Sequence, residues 1–201
     1  MPEAKKPRTR LAPLKLSCDS ADCDKDLHCF RESKKRAPHP SGACQQCGGE
    51  LVDWDRVRKR DPKDVTHTLD ALKREWIRHH FWHVEISQRA LNYALRKGRS
   101  GLRERALTQV RKSIGLKHSR DGQQTPWDGN VLHYAQHATA TCCRRCVECW
   151  HGIAPEQELS DEQIQYFAHL CLQYVFEKLP DLPSEGQSMA SIRPPHRMHD
   201  R

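Results

Sequence analysis

A chain of 201 residues, 36% hydrophobic and 30% charged, holds one medium domain plus an appended module around a modest core. No apolar run approaches the length of a membrane span, and the N-terminus lacks a signal-peptide core. A soluble cytoplasmic protein with no membrane partner is expected. In that reducing compartment ten cysteines argue for metal rather than disulfides. The formal charge of +8 is uneven: residues 1–120 carry 28 Lys and Arg against 15 Asp and Glu, a net +13, and residues 121–201 carry 6 against 11, a net −5. A basic front half can attract a polyanion, with nucleic acid the usual one; the bland alternative is a solvated surface.

Residues 1–13, with three prolines and Lys5, Lys6, Arg8 and Arg10, read as a disordered tail. Residues 14–60 look like a small β zinc ribbon. Cys18 and Cys23 form one pair, Cys44 and Cys47 a second pair followed by Gly48 and Gly49. The glycines allow a tight turn whose amides face the sulfurs. β-like pieces at 14–17, 27–30 and 50–54 flank the pairs, and four thiolates make a closed structural zinc site. Cys29 could replace Cys18 or Cys23; His28 reads as a strand residue and not a ligand. The basic loop from Arg31 to Arg36 could touch phosphate or simply be solvated. Asp61-Pro62 marks a boundary.

The pattern then turns helical. Leu69, Leu72, Trp76, His80 and His83 step by three and four, predicting one helix over 66–83. His79 and His83 are four apart, a spacing that can bind metal, although histidines among aromatics more often pack. Ser87 caps a second helix that Gly98 ends; Ser100 begins a third that Gly115 ends. Residues 116–136 form a long connection with Asp121-Gly122-Gln123-Gln124-Thr125-Pro126, a candidate pocket lining.

The densest chemistry lies at 137–151, HATATCCRRCVECWH. Soft thiolates and imidazoles at this density suit a transition metal, most often zinc. With Thr141 as N-cap and Gly152 at the end, Cys142 or Cys143 shares a helix face with Cys146. His137 approaches from the preceding loop. His151 is rotated off that face. Buried packing or a redox pair are the alternatives. Ser160 with Gln163 forms a capping box for a last helix to about residue 179, on whose apolar stripe Cys171 reads as core. Pro180 and Pro183 stop it. Residues 61–183 thus form a helical domain with a Cys/His site, and 184–201 a second disordered tail. The fold class is mainly α with a small N-terminal β ribbon.

Across residues 83–176 these motifs resemble a bacterial family catalogued only as a domain of unknown function. That family shows a Phe-His pair, a Lys-Gly helix end, a DG-x-QTP loop and an HATATCC-R-x-C-x3-WHGI block. The matching residues are His83, Lys97, Gly98, Asp121, Gly122, Gln124, Thr125, Pro126, His137, Cys142, Cys143, Cys146, Trp150, His151 and Gly152. Trp82 departs from the Phe, and Cys149, His133, His79 and His80 fall outside the pattern. The ribbon would be an added module. The resemblance supports a site without naming its chemistry.

Two zinc sites are therefore expected: Cys18, Cys23, Cys44 and Cys47 in the first; His83, His137, Cys142, Cys143 and Cys146 in the second. Three protein ligands plus water at the second would suit hydrolysis, with Asp121, Glu148 or His151 moving protons. The zinc-deaminase signature fails, because Ala138-Thr139 follows His137 and no proline precedes Cys142. A zinc-binding protein that binds or acts on nucleic acid leads. A metal-dependent hydrolase, a thiol redox sensor and a zinc-stabilised protein–protein adaptor are the alternatives. Walker, dinucleotide and serine-hydrolase patterns are absent from the sequence.

Overall fold

The periodicity read above gives a mainly α protein. The computed structural model describes residues 16–32, 39–117, 121–190 and 192; the expected tail at 1–13 and the loop residues Lys34, Lys35 and Arg36 lie outside the described residues. Among the described residues seven α-helices follow in order: α1 Trp54–Lys59, α2 Val65–Lys73, α3 Trp76–His83, α4 Gln88–Ile114, α5 Val131–Ala138, α6 Arg144–His151 and α7 Asp161–Lys178. Helix α7 packs on α4 and α5, α3 packs on α5, and α1 packs on α6.

The ribbon expected at 14–60 does not take a β form among the described residues. Only isolated bridges occur, Asp22 with Leu27 and His28 with Glu75. The reason lies in where the backbone groups of 27–30 go. The His28 amide donates to the Arg74 carbonyl (2.8 Å) and the His28 carbonyl accepts from the Trp76 amide (3.0 Å). The N-terminal segment thus spends its pairing on a gap between helices rather than on a neighbouring strand.

That gap also corrects the single helix expected over 66–83. Glu75 is extended (φ −82°, ψ 123°) and separates α2 from α3. Its buried carboxylate accepts from Arg78 Nε (2.9 Å) and Trp150 Nε1 (2.6 Å).

Helix α4 carries the break expected at Gly98, which is non-helical (φ 61°, ψ 178°). A side chain there would collide with the Glu185 backbone. Residues 184–190, expected in the C-terminal tail, instead run along α4. Ser100 donates its amide to the Ser184 carbonyl (2.9 Å), Gln187 to Leu95 (2.9 Å), and Asn92 Nδ2 donates to the Ala190 carbonyl (3.0 Å). The first two bonds satisfy an α4 amide and an α4 carbonyl beside the break.

The N-terminal segment and the helices share one core. Phe30 and Trp54 both pack on Trp150 of α6, with ring centroids 5.4 and 5.0 Å away. Arg60, which ends α1 in a left-handed conformation, donates to the His151 carbonyl (2.6 Å).

Candidate metal centres

The first group of donors is Cys23, His28, Cys44 and Cys47, whose ligand atoms all lie within 4.8 Å of one another. A C-x2-C turn builds one half. Gly48 (φ 76°) lets the chain reverse, and the Gln46 amide points at Cys44 Sγ (3.5 Å). Burial pushes the Cys44 thiol up, but the amides of Cys29, Cys47 and Gln46, together with His28, bring it down to about 6. Cys23 Sγ stands 3.8 Å from Cys44 Sγ, and Cys47 Sγ stands 3.6 Å from His28 Nδ1. His28 turns its other nitrogen to Asp26, with Nε2 to Oδ1 at 2.9 Å. A carboxylate behind a histidine fixes the tautomer that leaves Nδ1 a lone pair for a metal. Sequence spacing set His28 aside and put Cys18 in this group; the structure puts His28 here and Cys18 elsewhere. Cys29, fully buried, contributes its amide to Cys44.

The second group is Cys142, Cys143 and Cys146, also within 4.8 Å and all buried. Cys143 is the N-cap of α6 and Cys146 lies one turn on. The DG-x-QTP loop clamps this corner. Asp121 Oδ1 accepts from the Arg144 amide (2.9 Å) and so caps α6, while Thr125 Oγ1 donates to the Cys142 carbonyl (2.8 Å).

Arg78 of α3 stands against the sulfurs, 1% exposed. Nη2 is 3.1 Å from Cys146 Sγ and 3.7 Å from Cys18 Sγ; Nη1 is 3.7 Å from Cys142 Sγ and donates to the His137 carbonyl (2.7 Å). Burial opposes its charge, but Glu75 and the thiols Cys146, Cys18 and Cys142 more than offset that and hold it well above the usual arginine value. Burial raises Glu75 to about 6, against the pull of Arg78. Cys18 is lowered to about 5, chiefly by its hydrogen bond with Cys146, with Arg78 and Arg31 adding to it against burial.

The histidines expected at this group do not gather with the thiols. His83 Nδ1 is held on the His79 carbonyl (2.7 Å), and its ring stacks on His79 on the exposed face of α3. His137 lies in α5 rather than in a loop. Its ring packs against both Phe81 and Trp127, centroids 4.7 and 4.5 Å away, with Nε2 on the Thr125 and Pro126 carbonyls. Burial lowers it to about 3. The three proton-transfer candidates are dispersed. Asp121 caps α6. His151 is fully buried with Nε2 on the Thr139 carbonyl (3.1 Å). Glu148 is exposed on a cleft of about 520 Å³ shared with Phe30, Arg31, Trp54, Arg58 and Arg145.

A family model described as a domain of unknown function, DUF4186, matches residues 66–176, more than half of the chain. The chain belongs to the DUF4186 family. The match begins at 66 rather than at 83, so it takes in Glu75 and Arg78 as well as the three thiols. The first donor group lies outside it. No solved structure matches the chain.

Sequence reasoning missed His28 and Arg78. An acid two residues before a histidine, Asp26 before His28, was an available sign of an oriented ligand. Arg78 had only a weak sign: Ala71, Glu75, Arg78 and Trp82 share one face, charge amid apolar residues.

Proposed function

We propose that this protein binds two zinc ions, each holding structure rather than performing chemistry, and that it presents a basic surface to nucleic acid in the cytoplasm. The donor spacing of the first group carries the zinc reading. Around a tetrahedral zinc with Zn–S about 2.3 Å and Zn–N about 2.0–2.1 Å, two sulfurs stand about 3.8 Å apart and a sulfur and nitrogen about 3.5–3.6 Å. The observed 3.8 Å for Cys23–Cys44 and 3.6 Å for Cys47–His28 fit that tetrahedron. The sulfur-rich second group suits the same metal, and burial of its three donors leaves little room for a reacting water. Ten cysteines without a disulfide suit a reducing compartment.

Nucleic acid as partner is supported by the +13 of residues 1–120 and by the cleft, where arginines flank aromatic faces. The Arg58 guanidinium lies over Trp54 at 5.0 Å, and Arg31 and Arg145 line the same cleft. Guanidinium groups beside the half-buried Trp54 ring suit unstacked bases and phosphates. Not all of the charge is available for this: Arg56 pairs with Asp64, Arg74 with Asp26, and Arg99 donates to the Leu182 and Pro180 carbonyls.

Metal analysis of the purified chain beside Cys47→Ser tests the first part. Two zinc equivalents falling to one agree with it; no zinc in the wild type sinks it. Retention on single-stranded DNA that weakens steeply with salt agrees with the second part. Salt-independent or absent retention, with both zincs present, favours the adaptor reading.

A further inference from the structure

The strongest feature that this function leaves unused is Cys18. It is remote in sequence from the three thiols at the start of α6, yet it lines one narrow pocket with Cys146, Cys149 and Arg78. It shares the Arg78 Nη2 donor with Cys146, at 3.7 and 3.1 Å, and Arg31 lines the same pocket. Resting on the two-zinc reading, we infer that Cys18 is the fourth ligand of the second site, so that one metal ion closes a Cys18, Cys142, Cys143, Cys146 set and staples the N-terminal segment onto the DUF4186 domain.

Three observations converge on this. A guanidinium can only donate, so sulfurs set against buried Arg78 act as acceptors, and thiolates accept best. Arg78 spans Cys18, Cys142 and Cys146 with its two terminal nitrogens, which makes these three sulfurs one electrostatic unit, and Cys143 lies within 4.8 Å of Cys142 and Cys146. Counter-charge is also at hand. Four thiolates around a divalent ion carry −2, which a buried site holds only with counter-charges. Arg78, shared with the Glu75 carboxylate, and Arg31, which lines the pocket beside Cys18 and Cys146, supply them. The first group does not need Cys18, because His28 supplies its fourth donor. The sequence spacing C-x4-C that pairs Cys18 with Cys23 is thus divided between two sites. Metal binding of this kind releases the thiol protons of free cysteines to solvent and involves no change of oxidation state.

Cadmium-113 NMR of the full chain, loaded with cadmium in place of zinc, reads the number of sulfurs on each ion. Two resonances are expected in the wild type, from a three-sulfur and a four-sulfur site. Cys18→Ser shifts the four-sulfur resonance toward the three-sulfur position and leaves the other in place. If Cys18→Ser moves neither resonance while Cys146→Ser removes one, the fourth-ligand assignment is overturned and the two-site reading stands. A single wild-type resonance that Cys146→Ser leaves unchanged overturns both. Should Cys18→Ser not fold, alkylation of wild type decides. In the metal-loaded protein Cys18 resists iodoacetamide together with Cys142, Cys143 and Cys146, and chelation exposes all four. Rapid modification of Cys18 alone in the loaded protein overturns the assignment.

Discussion

Arg78 and Cys146 face one another in the buried heart of the protein, guanidinium Nη2 to thiol sulfur at 3.1 Å. The same guanidinium is held from its other side by Glu75 Oε2 at 2.9 Å. A fixed positive charge therefore bridges the carboxylate that splits α2 from α3 and the sulfurs that begin α6.

Arg78→Met should be among the most damaging substitutions in the chain. It leaves Glu75 buried with only Trp150 as donor and removes the counter-charge from the thiolates. Breaking a buried pair by deleting one partner costs about 3–5 kcal/mol. Urea denaturation of metal-loaded protein measures it, and the double variant Glu75→Gln, Arg78→Met should recover part of the loss. Full stability in Arg78→Met would show that the pair does not hold the site.

Asp26→Asn tests the first site without disturbing its backbone. Asp26 is left-handed (φ 56°), a conformation asparagine also tolerates. What is lost is the carboxylate behind His28. Outer-shell partners of metal-bound histidines are worth about 10–100-fold in metal affinity. Competition against a chelator should show that loss at one of two sites; an unchanged affinity would remove His28 from the ligand set.

The buried His151 should make the fold acid-sensitive. Burial lowers it from 6.5 to about 4, with Arg60 and Arg78 adding and the Thr139 carbonyl opposing. Between those values the unfolded chain binds more protons than the folded one, so stability is complete above pH 6.5 and declines as pH falls through 4. The slope per group is about 1.4 kcal/mol per pH unit at most. His151→Gln should flatten the decline in that window. The comparison is of unfolding midpoints for the two metal-loaded proteins, so that ligand protonation enters both alike. Equal pH profiles would refute the assignment.

Gly98→Ala should cost about 1–3 kcal/mol or more, since φ 61°, ψ 178° is a region open essentially to glycine alone. Part of the cost is the collision with Glu185. Ending the chain after Pro183 should therefore lessen the penalty of Gly98→Ala while itself lowering stability through the lost Ala190 and Gln187 bonds. Thermal denaturation of the four combinations separates the two contributions; strict additivity would show that 184–190 do not press on Gly98.

The sequence alone determined the local devices. The Ser160–Gln163 capping box forms as its spacing requires, Gly152 ends α6 in the left-handed conformation, and Gly98 interrupts α4. The Cys44–Cys47 turn also follows from spacing, because its geometry is closed within four residues. Partner choice was decided only by tertiary structure. Cys18, Cys23, His28 and Cys29 are interchangeable on spacing alone, and which of them meets a given sulfur depends on how 16–32 lies against the gap at Glu75. Arg78 reaches Cys18 and Cys146 across 60 and 68 residues. No periodicity reports such a contact, because helical and turn spacing constrain neighbours within a turn or two, whereas a buried charge is placed by the packing of whole helices.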